Sequence, residues 1–192
     1  MSFSPPVLAP MLWFDFETGG LDPEKQDLTE IAFSMTDRNG NTQWDWHGKV
    51  QPRLPVLPEA AKINGYTPEK WTNAYTLEEA ATLIKRCAEP FQQGLMIPSG
   101  WQIPFDLAFY RKHLQGLLPF KLHYHAFDLM AYAWEHVEFQ NKPHLRDLAT
   151  ALRITPGEEH TAGGDVYTYL ECYRELRRRT GILRGKQASA TW

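Results

Sequence analysis

The sequence predicts an α/β protein in which a mixed five-stranded sheet is flanked by helices. Two patterns in the chain carry this prediction. Three segments typical of β-strands come first, and afterwards segments with helical periodicity alternate with short apolar segments. A meander followed by alternating helices and strands is typical of a sheet that has helices on its faces. The chain has 192 residues, of which 43% are hydrophobic and 22% charged, and this length suffices for one such domain.

The first three strands are expected at residues 11–16, 30–36 and 42–50. The first is a run of apolar and aromatic residues, which is typical of a buried strand, and the other two alternate apolar and polar side chains. Asn39 and Gly40 separate the second strand from the third, and this dipeptide favours a tight hairpin because it tolerates positive φ. The three strands therefore form an antiparallel meander.

Helical periodicity and short apolar runs place the remaining elements. A short helix is expected near residues 58–63, within a proline-rich excursion. Thr76 followed by Glu79 forms a capping box, which predicts a helix over residues 77–91. Two more strands are expected at residues 95–98 and 122–127, and four more helices at residues 105–114, 128–136, 144–152 and 164–179.

Composition and the two ends of the chain predict its location and domain limits. No apolar run approaches the length of about 20 residues that a membrane helix needs, and the first residues lack the pattern of a signal peptide. We therefore expect a cytoplasmic protein without membrane contact. Residues 1–10 are proline-rich and expected to be flexible, residues 11–180 form the folded domain, and residues 181–192 form a basic tail. Cys87 lies on the apolar stripe of a helix, which predicts a buried free thiol.

Charge is distributed unevenly along the chain. The net charge is −3, but from Arg174 onward six basic residues face one acidic residue, which gives this segment a charge of +5. Such an end could contact a polyanion. Its arginines could equally complement the dipole at the C terminus of a helix. The sequence leaves both interpretations open.

Two carboxylates stand in the first strand among apolar neighbours. Asp15 and Glu17 are two residues apart, so in a strand both side chains point to the same face. Acidic residues near strand ends are often only solvated. Two adjacent carboxylates in apolar surroundings repel each other, however, and a hard divalent cation with oxygen ligands relieves that repulsion. The spacing alone leaves a solvated pair and a metal site equally open.

Two further motifs place acidic residues at the start of helices. Asp106 lies where the fourth strand passes into a helix, and Asp165 lies at the start of the last helix. Either side chain could serve only as a helix cap. His160 precedes Asp165 by five residues, in a segment with two glycines. An imidazole in such a segment is suited to general base catalysis near neutral pH, although it could be only a loop histidine.

Taken in chain order, these motifs resemble those of the DEDDh 3′–5′ exonucleases, a family that includes polymerase proofreading subunits and several small ribonucleases. The resemblance extends over residues 11–173 and includes the segments 21–32 and 63–67. Each motif is weak alone, but three in the family's order are specific. The motifs are Asp15-x-Glu17, Phe105-Asp106 and His160-x-Ala162-x-x-Asp165.

The resemblance implies an RNase H-like fold and hydrolysis with two metal ions. It implies that four carboxylates hold two Mg²⁺ or Mn²⁺ ions and that His160 is the general base. Those carboxylates are Asp15, Glu17, Asp106 and Asp165. The reaction would release nucleoside monophosphates from the 3′ end of DNA or RNA. The residues expected to contact that end are Phe16, Thr18, Leu21, Trp101, Gln102 and Phe105.

The chain departs from the family pattern at two places. Trp101 and Gln102 stand where the family commonly has His-Asn after a glycine. Trp101 could stack on a base or simply pack, and packing is the simpler interpretation, whereas Gln102 could still form a hydrogen bond. Gly163 and Gly164 are unusual at a helix entrance, since glycine disfavours helix. We therefore expect the loop that carries His160 to be mobile and to become ordered by substrate.

Two other functions use the same fold: an RNase H-type endonuclease and a non-catalytic nucleic-acid-binding protein. The motif around His160 argues against the first, and the presence of all five catalytic positions argues against the second. The acidic main body disfavours broad contact with a duplex, so a single-stranded 3′ end is the preferred partner. The choice between DNA and RNA, and the oligomeric state, stay open.

Overall fold

The computed structural model describes residues 9–91, 94–139 and 143–181, so the predictions for residues 1–8 and 182–192 fall outside the described residues. Within this part the predicted fold class is confirmed: a mixed sheet with helices on both faces. Its strands run in the order β3-β2-β1-β4-β5, and β6 also pairs with β4. The meander β1–β3 is antiparallel, whereas β4 is parallel to β1, β5 and β6. The strands are β1 (Met11–Thr18), β2 (Leu28–Thr36), β3 (Thr42–Lys49), β4 (Leu95–Gly100), β5 (Lys121–Leu122) and β6 (Phe127–Asp128).

The helices lie within a few residues of their predicted positions. Thr76 and Glu79 form the expected capping box, with the hydroxyl of Thr76 accepting a hydrogen bond from the backbone N–H of Glu79. A 3₁₀ turn follows α2, and a π-helical turn over Tyr110–Leu114 extends α3. Among the described residues, no helix is both long and apolar enough to cross a membrane. The helices are α1 (Pro58–Asn64), α2 (Leu77–Ala88), α3 (Pro104–Phe109), α4 (Leu129–Trp134), α5 (Leu145–Leu152) and α6 (Ala162–Arg179).

The segment expected to form one fifth strand forms two short ones instead. Lys121 is paired with Leu95 and Phe127 with Ser99, so six steps along this segment match four steps along β4. The chain leaves the sheet after His123, whose ring Nδ1 accepts a hydrogen bond from the backbone N–H of His125 at 3.0 Å. The two extra residues therefore bulge outward at the sheet edge, which the apolar pattern did not reveal.

Alternation along β1 divides the interior into two cores. Leu12, Phe14 and Phe16 pack on the face covered by α2 and α3. Met11 and Trp13 point to the opposite face and pack against α4, α5 and α6. Because side chains alternate along a strand, the next residues on that second face are the acidic pair of the first motif. The free thiol of Cys87 is half-buried beside the first core, where the sequence predicted a buried one.

The basic end of α6 is engaged with the rest of the protein. Arg174 Nε donates to the carbonyl oxygen of Gly40 at 2.8 Å, and the hydroxyl of Tyr173 donates to the carbonyl oxygen of Arg38 at 2.9 Å. Both carbonyls belong to the hairpin between β2 and β3. Glu175 accepts hydrogen bonds from Arg178 and Arg179 of the same helix. Within the described residues, these contacts tie the end of α6 to the hairpin.

Candidate active site

Strand β1 and the first turn of α6 bring three carboxylates together. Asp15 and Glu17 point from β1 toward α6, and Asp165 lies in the first turn of that helix. One oxygen of each carboxylate lies within 4.8 Å of one oxygen of the other two. Hard divalent cations such as Mg²⁺ take oxygen ligands of this kind. The donor set therefore fits a divalent metal ion.

Asp106 stands beside this group and does not cap its helix. It lies in the first turn of α3, whose N-cap position is Ile103, and its residue is 4% exposed. Its Oδ1 accepts a hydrogen bond from the backbone N–H of Phe16 at 3.0 Å. The contact joins α3 to β1 between the two acidic residues of that strand. Asp106 thus faces the cluster, although it lies outside the group of three oxygens.

The close approach of these carboxylates changes their affinity for protons. Burial raises the pKa of Asp15 well above its ordinary value, and the charges of Asp106, Asp165 and Glu17 raise it further. Burial, followed by the charges of Asp165 and Glu30, raises the pKa of Glu17 to about 7. Burial likewise raises the pKa of Asp165 to about 7. An uncompensated concentration of buried negative charge is what a bound cation would neutralise.

His160 lies in the tight loop before α6, outside the group of carboxylates. Its backbone is in the left-handed region, with φ of 57°, and about half of its side chain is exposed (51%). Its Nε2 lies 3.8 Å from Oε1 of Glu159, and the same oxygen forms an ion pair with Nε of Arg146 at 2.7 Å. The distance to Glu159 exceeds that of a hydrogen bond. The imidazole is therefore accessible from solvent, in the loop five residues before Asp165.

The glycines around this loop permit a close approach of two chain segments. A Cβ on Gly164 would lie 2.0 Å from the carbonyl oxygen of Glu158, and one on Gly157 would lie 2.5 Å from the carbonyl oxygen of Gly164. Gly163 and Gly164 are helical residues of α6, behind the N-cap Thr161. The glycines thus have a steric explanation, and the expected mobility of the His160 loop stays a prediction.

A cavity of about 600 Å³ opens beside Glu17. Four of the six residues expected to contact a nucleotide line it: Phe16, Thr18, Leu21 and Phe105. Leu21 is 83% exposed although it is apolar. The amide of Asn64 donates to the carbonyl oxygen of Thr18 at 3.1 Å and fixes the wall of the cavity next to β1. An apolar recess next to carboxylates suits a ligand that has both a ring and a charged group.

The other two expected contact residues point elsewhere. Trp101 is partly buried and packs against the core beneath α6, which agrees with the simpler interpretation. Gln102 has a left-handed backbone, with φ of 51°, and its Nε2 lies 3.3 Å from the sulfur of Met130. Asp128, the N-cap of α4, accepts a hydrogen bond from the backbone N–H of Gln102. Neither side chain lines the cavity beside Glu17.

A comparison with models of protein families identifies the family of this chain. Residues 12–173 match the RNase_T family, described as exonuclease. The chain belongs to this family. The resemblance to the DEDDh exonucleases is thereby confirmed. The family implies dependence on a divalent metal ion, and the acidic cluster of this exonuclease domain could hold one. No curated protein matches the chain in sequence.

Solved structures of exonuclease I share the fold. Exonuclease I from Methylocaldum szegediense superposes with a TM-score of 0.70 at 23% identity over 89% of this chain. The zinc-bound Escherichia coli exonuclease I–ssDNA complex gives 0.70 at 22% identity over 92%, and the E. coli complex with a dA16 oligonucleotide gives 0.67 at 22% over 91%. The chain spans 41%, 42% and 42% of those three chains.

Two residues close to the carboxylates escaped the sequence analysis as site residues. Glu30 pairs with Glu17 across β1 and β2 and is 6% exposed. The hydroxyl of Tyr169 donates a hydrogen bond to Oδ1 of Asp15. The strand register could have revealed Glu30. Tyr169 follows Asp165 by about one helical turn, but it also belongs to the buried apolar side of α6, a position typical of a core residue.

Proposed function

We propose that this exonuclease domain removes nucleoside monophosphates from the 3′ end of a single-stranded nucleic acid. The observation that carries the proposal is the position of the apolar cavity directly beside the carboxylates, since Glu17 belongs to both. A terminal nucleotide in that cavity has its phosphodiester next to the acidic cluster. This proposed placement of a terminal nucleotide is that of an exonuclease, not of an endonuclease.

Mg²⁺ or Mn²⁺ ions are the proposed cofactors. The carboxylate oxygens of Asp15, Glu17 and Asp165 suit these ions, and Asp106 lies beside them as the proposed fourth ligand. When bound, a pair of such ions supplies activation of the attacking water and stabilisation of the leaving 3′ oxygen. Support for a divalent cation also comes from the zinc-bound form of E. coli exonuclease I, which has the same fold.

The residues of the cavity hold and orient the terminal nucleotide. Phe105 is 37% exposed and offers aromatic surface to the base or sugar, whereas the buried Phe16 closes the inner wall of the cavity. The exposed side chain of Leu21 packs against or between the last bases. The segment from Thr18 to Gly20 is fixed by the hydrogen bond from the Thr18 hydroxyl to the carbonyl oxygen of Gly20 at 2.6 Å. A rigid wall of this kind holds the bound terminal nucleotide in a defined orientation for the reaction.

His160 is the proposed general base. A ring nitrogen of its imidazole accepts the proton of the attacking water, which requires the neutral form of the ring. The exposed position of the side chain allows it to approach the water when nucleic acid is bound. Glu159 lies next to the imidazole and is itself held by Arg146. This carboxylate supports the protonated ring after the transfer.

Single-stranded nucleic acid is the proposed substrate class. Exonuclease I of E. coli, which shares the fold, is found bound to ssDNA and to a dA16 oligonucleotide. The exposed apolar side chains at the cavity suit unpaired bases, because stacking and packing against them tolerate any sequence.

The decisive experiment follows the degradation of an oligonucleotide that is blocked at the 5′ end and labelled at the 3′ end. Early release of the labelled mononucleotide in Mg²⁺ or Mn²⁺ is expected, and none with the double variant Asp15→Ala, Glu17→Ala. Internal fragments would indicate an endonuclease. Binding without metal-dependent degradation would indicate a nucleic-acid-binding protein. Matched DNA and RNA oligonucleotides, single- and double-stranded, identify the substrate.

A further inference from the structure

Helix α6 presents two polar groups, one turn apart, to the carboxylate cluster. Asp165 and Tyr169 are separated by four residues and lie on the same face of the helix, which packs on β1. Asp165 supplies a carboxylate from the first turn. Tyr169 is 3% exposed and lies deeper, with its hydroxyl donating to Oδ1 of Asp15.

Within the described part of the chain, the hydroxyl of Tyr169 has one hydrogen-bond partner, Asp15, which is a proposed metal ligand. A buried phenol normally finds an acceptor, but a backbone carbonyl serves equally well, as it does for Tyr173 on the next turn. Tyr169 instead points under the acidic cluster, where the charges of Asp15, Asp106 and Asp165 all act on it. A hydrogen bond to one carboxylate oxygen fixes the rotation of the carboxylate and leaves the second oxygen directed away from the donor.

We propose that Tyr169 is a positioning residue that orients the Asp15 carboxylate for the divalent metal ion. Groups that hydrogen-bond to metal ligands fix the orientation of those ligands, and their loss commonly lowers metal affinity about 10–100-fold. The proposal rests on the metal-binding part of the proposed function. It requires neither a particular nucleic acid nor a particular direction of cleavage.

The variant Tyr169→Phe removes the hydroxyl and keeps the ring. Mn²⁺ binding is measured directly, by calorimetry or by the EPR signal of free Mn²⁺, on the metal-free protein without nucleic acid. We expect the dissociation constant to rise about 10–100-fold. The matched control is Tyr173→Phe on the same helix, which loses a hydrogen bond to Arg38 instead and should bind Mn²⁺ like the parent protein.

A second measurement separates positioning from a general loss of structure. The concentration of Mn²⁺ that gives half-maximal nuclease activity should rise in Tyr169→Phe, while the rate at saturating Mn²⁺ should stay within about threefold of the parent, because metal occupancy is restored there. A lower folded fraction would reduce the maximal rate without moving the midpoint. Tyr169→Leu also lacks the hydroxyl and should show the same shift in the Mn²⁺ midpoint. It is the substitute variant if Tyr169→Phe does not fold.

Three outcomes would overturn the inference. They are Mn²⁺ affinity of the hydroxyl-free variants within twofold of the parent, an equal loss in Tyr173→Phe, and no Mn²⁺ binding by the parent protein. Failure of the proposed function is recognised separately, because a parent protein that binds Mn²⁺ but degrades no oligonucleotide still permits the comparison of affinities.

Discussion

Replacing Glu17 by glutamine should stabilise the metal-free protein, and the effect should depend on pH. The pKa of Glu17 rises from 4.5 to about 7 on folding, chiefly because of burial and then because of the charges of Asp165 and Glu30. At pH below 4.5 the carboxyl is protonated in both states and costs nothing. Between pH 4.5 and 7 the carboxyl of Glu17 is ionised in the unfolded chain but still protonated in the folded protein. The free energy of unfolding therefore falls as the pH rises.

The magnitude follows from the size of the pKa change. Each pKa unit corresponds to about 1.4 kcal/mol, so by pH 8 the folded state has lost about 3 kcal/mol at most. Partial solvent contact of Glu17 screens some of this, and we expect about 2–3 kcal/mol, which for a chain of this length corresponds to about 4–12 °C in melting temperature. Glu17→Gln removes the ionisable group and should recover this amount at pH 8 and only a small part of it at pH 5.

Thermal unfolding in EDTA at pH 5 and pH 8 measures the effect. Glu59→Gln is the matched control, since Glu59 lines the same cavity but is exposed. Addition of Mn²⁺ should stabilise the parent protein at pH 8 and the Glu17 variant much less, because a ligand that binds the folded state stabilises it. Equal stabilisation by Glu17→Gln at both pH values, or none at pH 8, would refute the account of the buried charge.

Three further predictions follow from the same geometry. Gly164→Ala should unfold the start of α6 or destabilise the protein by more than about 2 kcal/mol in urea denaturation, because its Cβ would lie 2.0 Å from the carbonyl oxygen of Glu158; parent-like stability would contradict this. Leu21→Ala should raise KM for oligonucleotides severalfold at unchanged melting temperature, since Leu21 is 83% exposed; an unchanged KM would exclude its role in packing on bases. His160→Ala should lower kcat about 10²–10⁴-fold and leave Mn²⁺ affinity unchanged. The control His125→Ala, at an exposed histidine, should leave both kcat and Mn²⁺ affinity unchanged; parallel loss of kcat and affinity in His160→Ala would make His160 a metal ligand.

Local signals in the sequence accounted for most of the fold. Alternation and the Asn39-Gly40 dipeptide located the meander, and the capping box located α2. The division of the fifth strand into β5 and β6 was missed because the pattern of apolar residues does not encode which residues bulge out of a sheet. That depends on pairing with β4, which lies more than twenty residues earlier in the chain.

The residues of the candidate site that belong to short sequence motifs could be predicted from the sequence. Asp15 and Glu17 share a face because of their spacing, and the structure places Asp165 with them. The sequence left open whether Asp106 only caps α3; the N-cap position is Ile103, and Oδ1 of Asp106 accepts a hydrogen bond from the backbone N–H of Phe16 on β1. The sequence around Tyr169 does not distinguish it from the other apolar residues of its helix face. Its hydrogen bond to Asp15 could not be predicted, because it depends on the packing of that face against β1.

The alternation of side chains along β1 helps to specify the register in which this strand pairs with β2. Shifting β1 by one residue against β2 would exchange the two faces, so that Asp15 and Glu17 would enter the aromatic core and Phe14 and Phe16 would face α6. Such a molecule would have to bury two charges among hydrocarbon, which disfavours it strongly. The proposed metal ligands Asp15 and Glu17 therefore also discriminate against the shifted register, and in the correctly paired sheet they face Asp165.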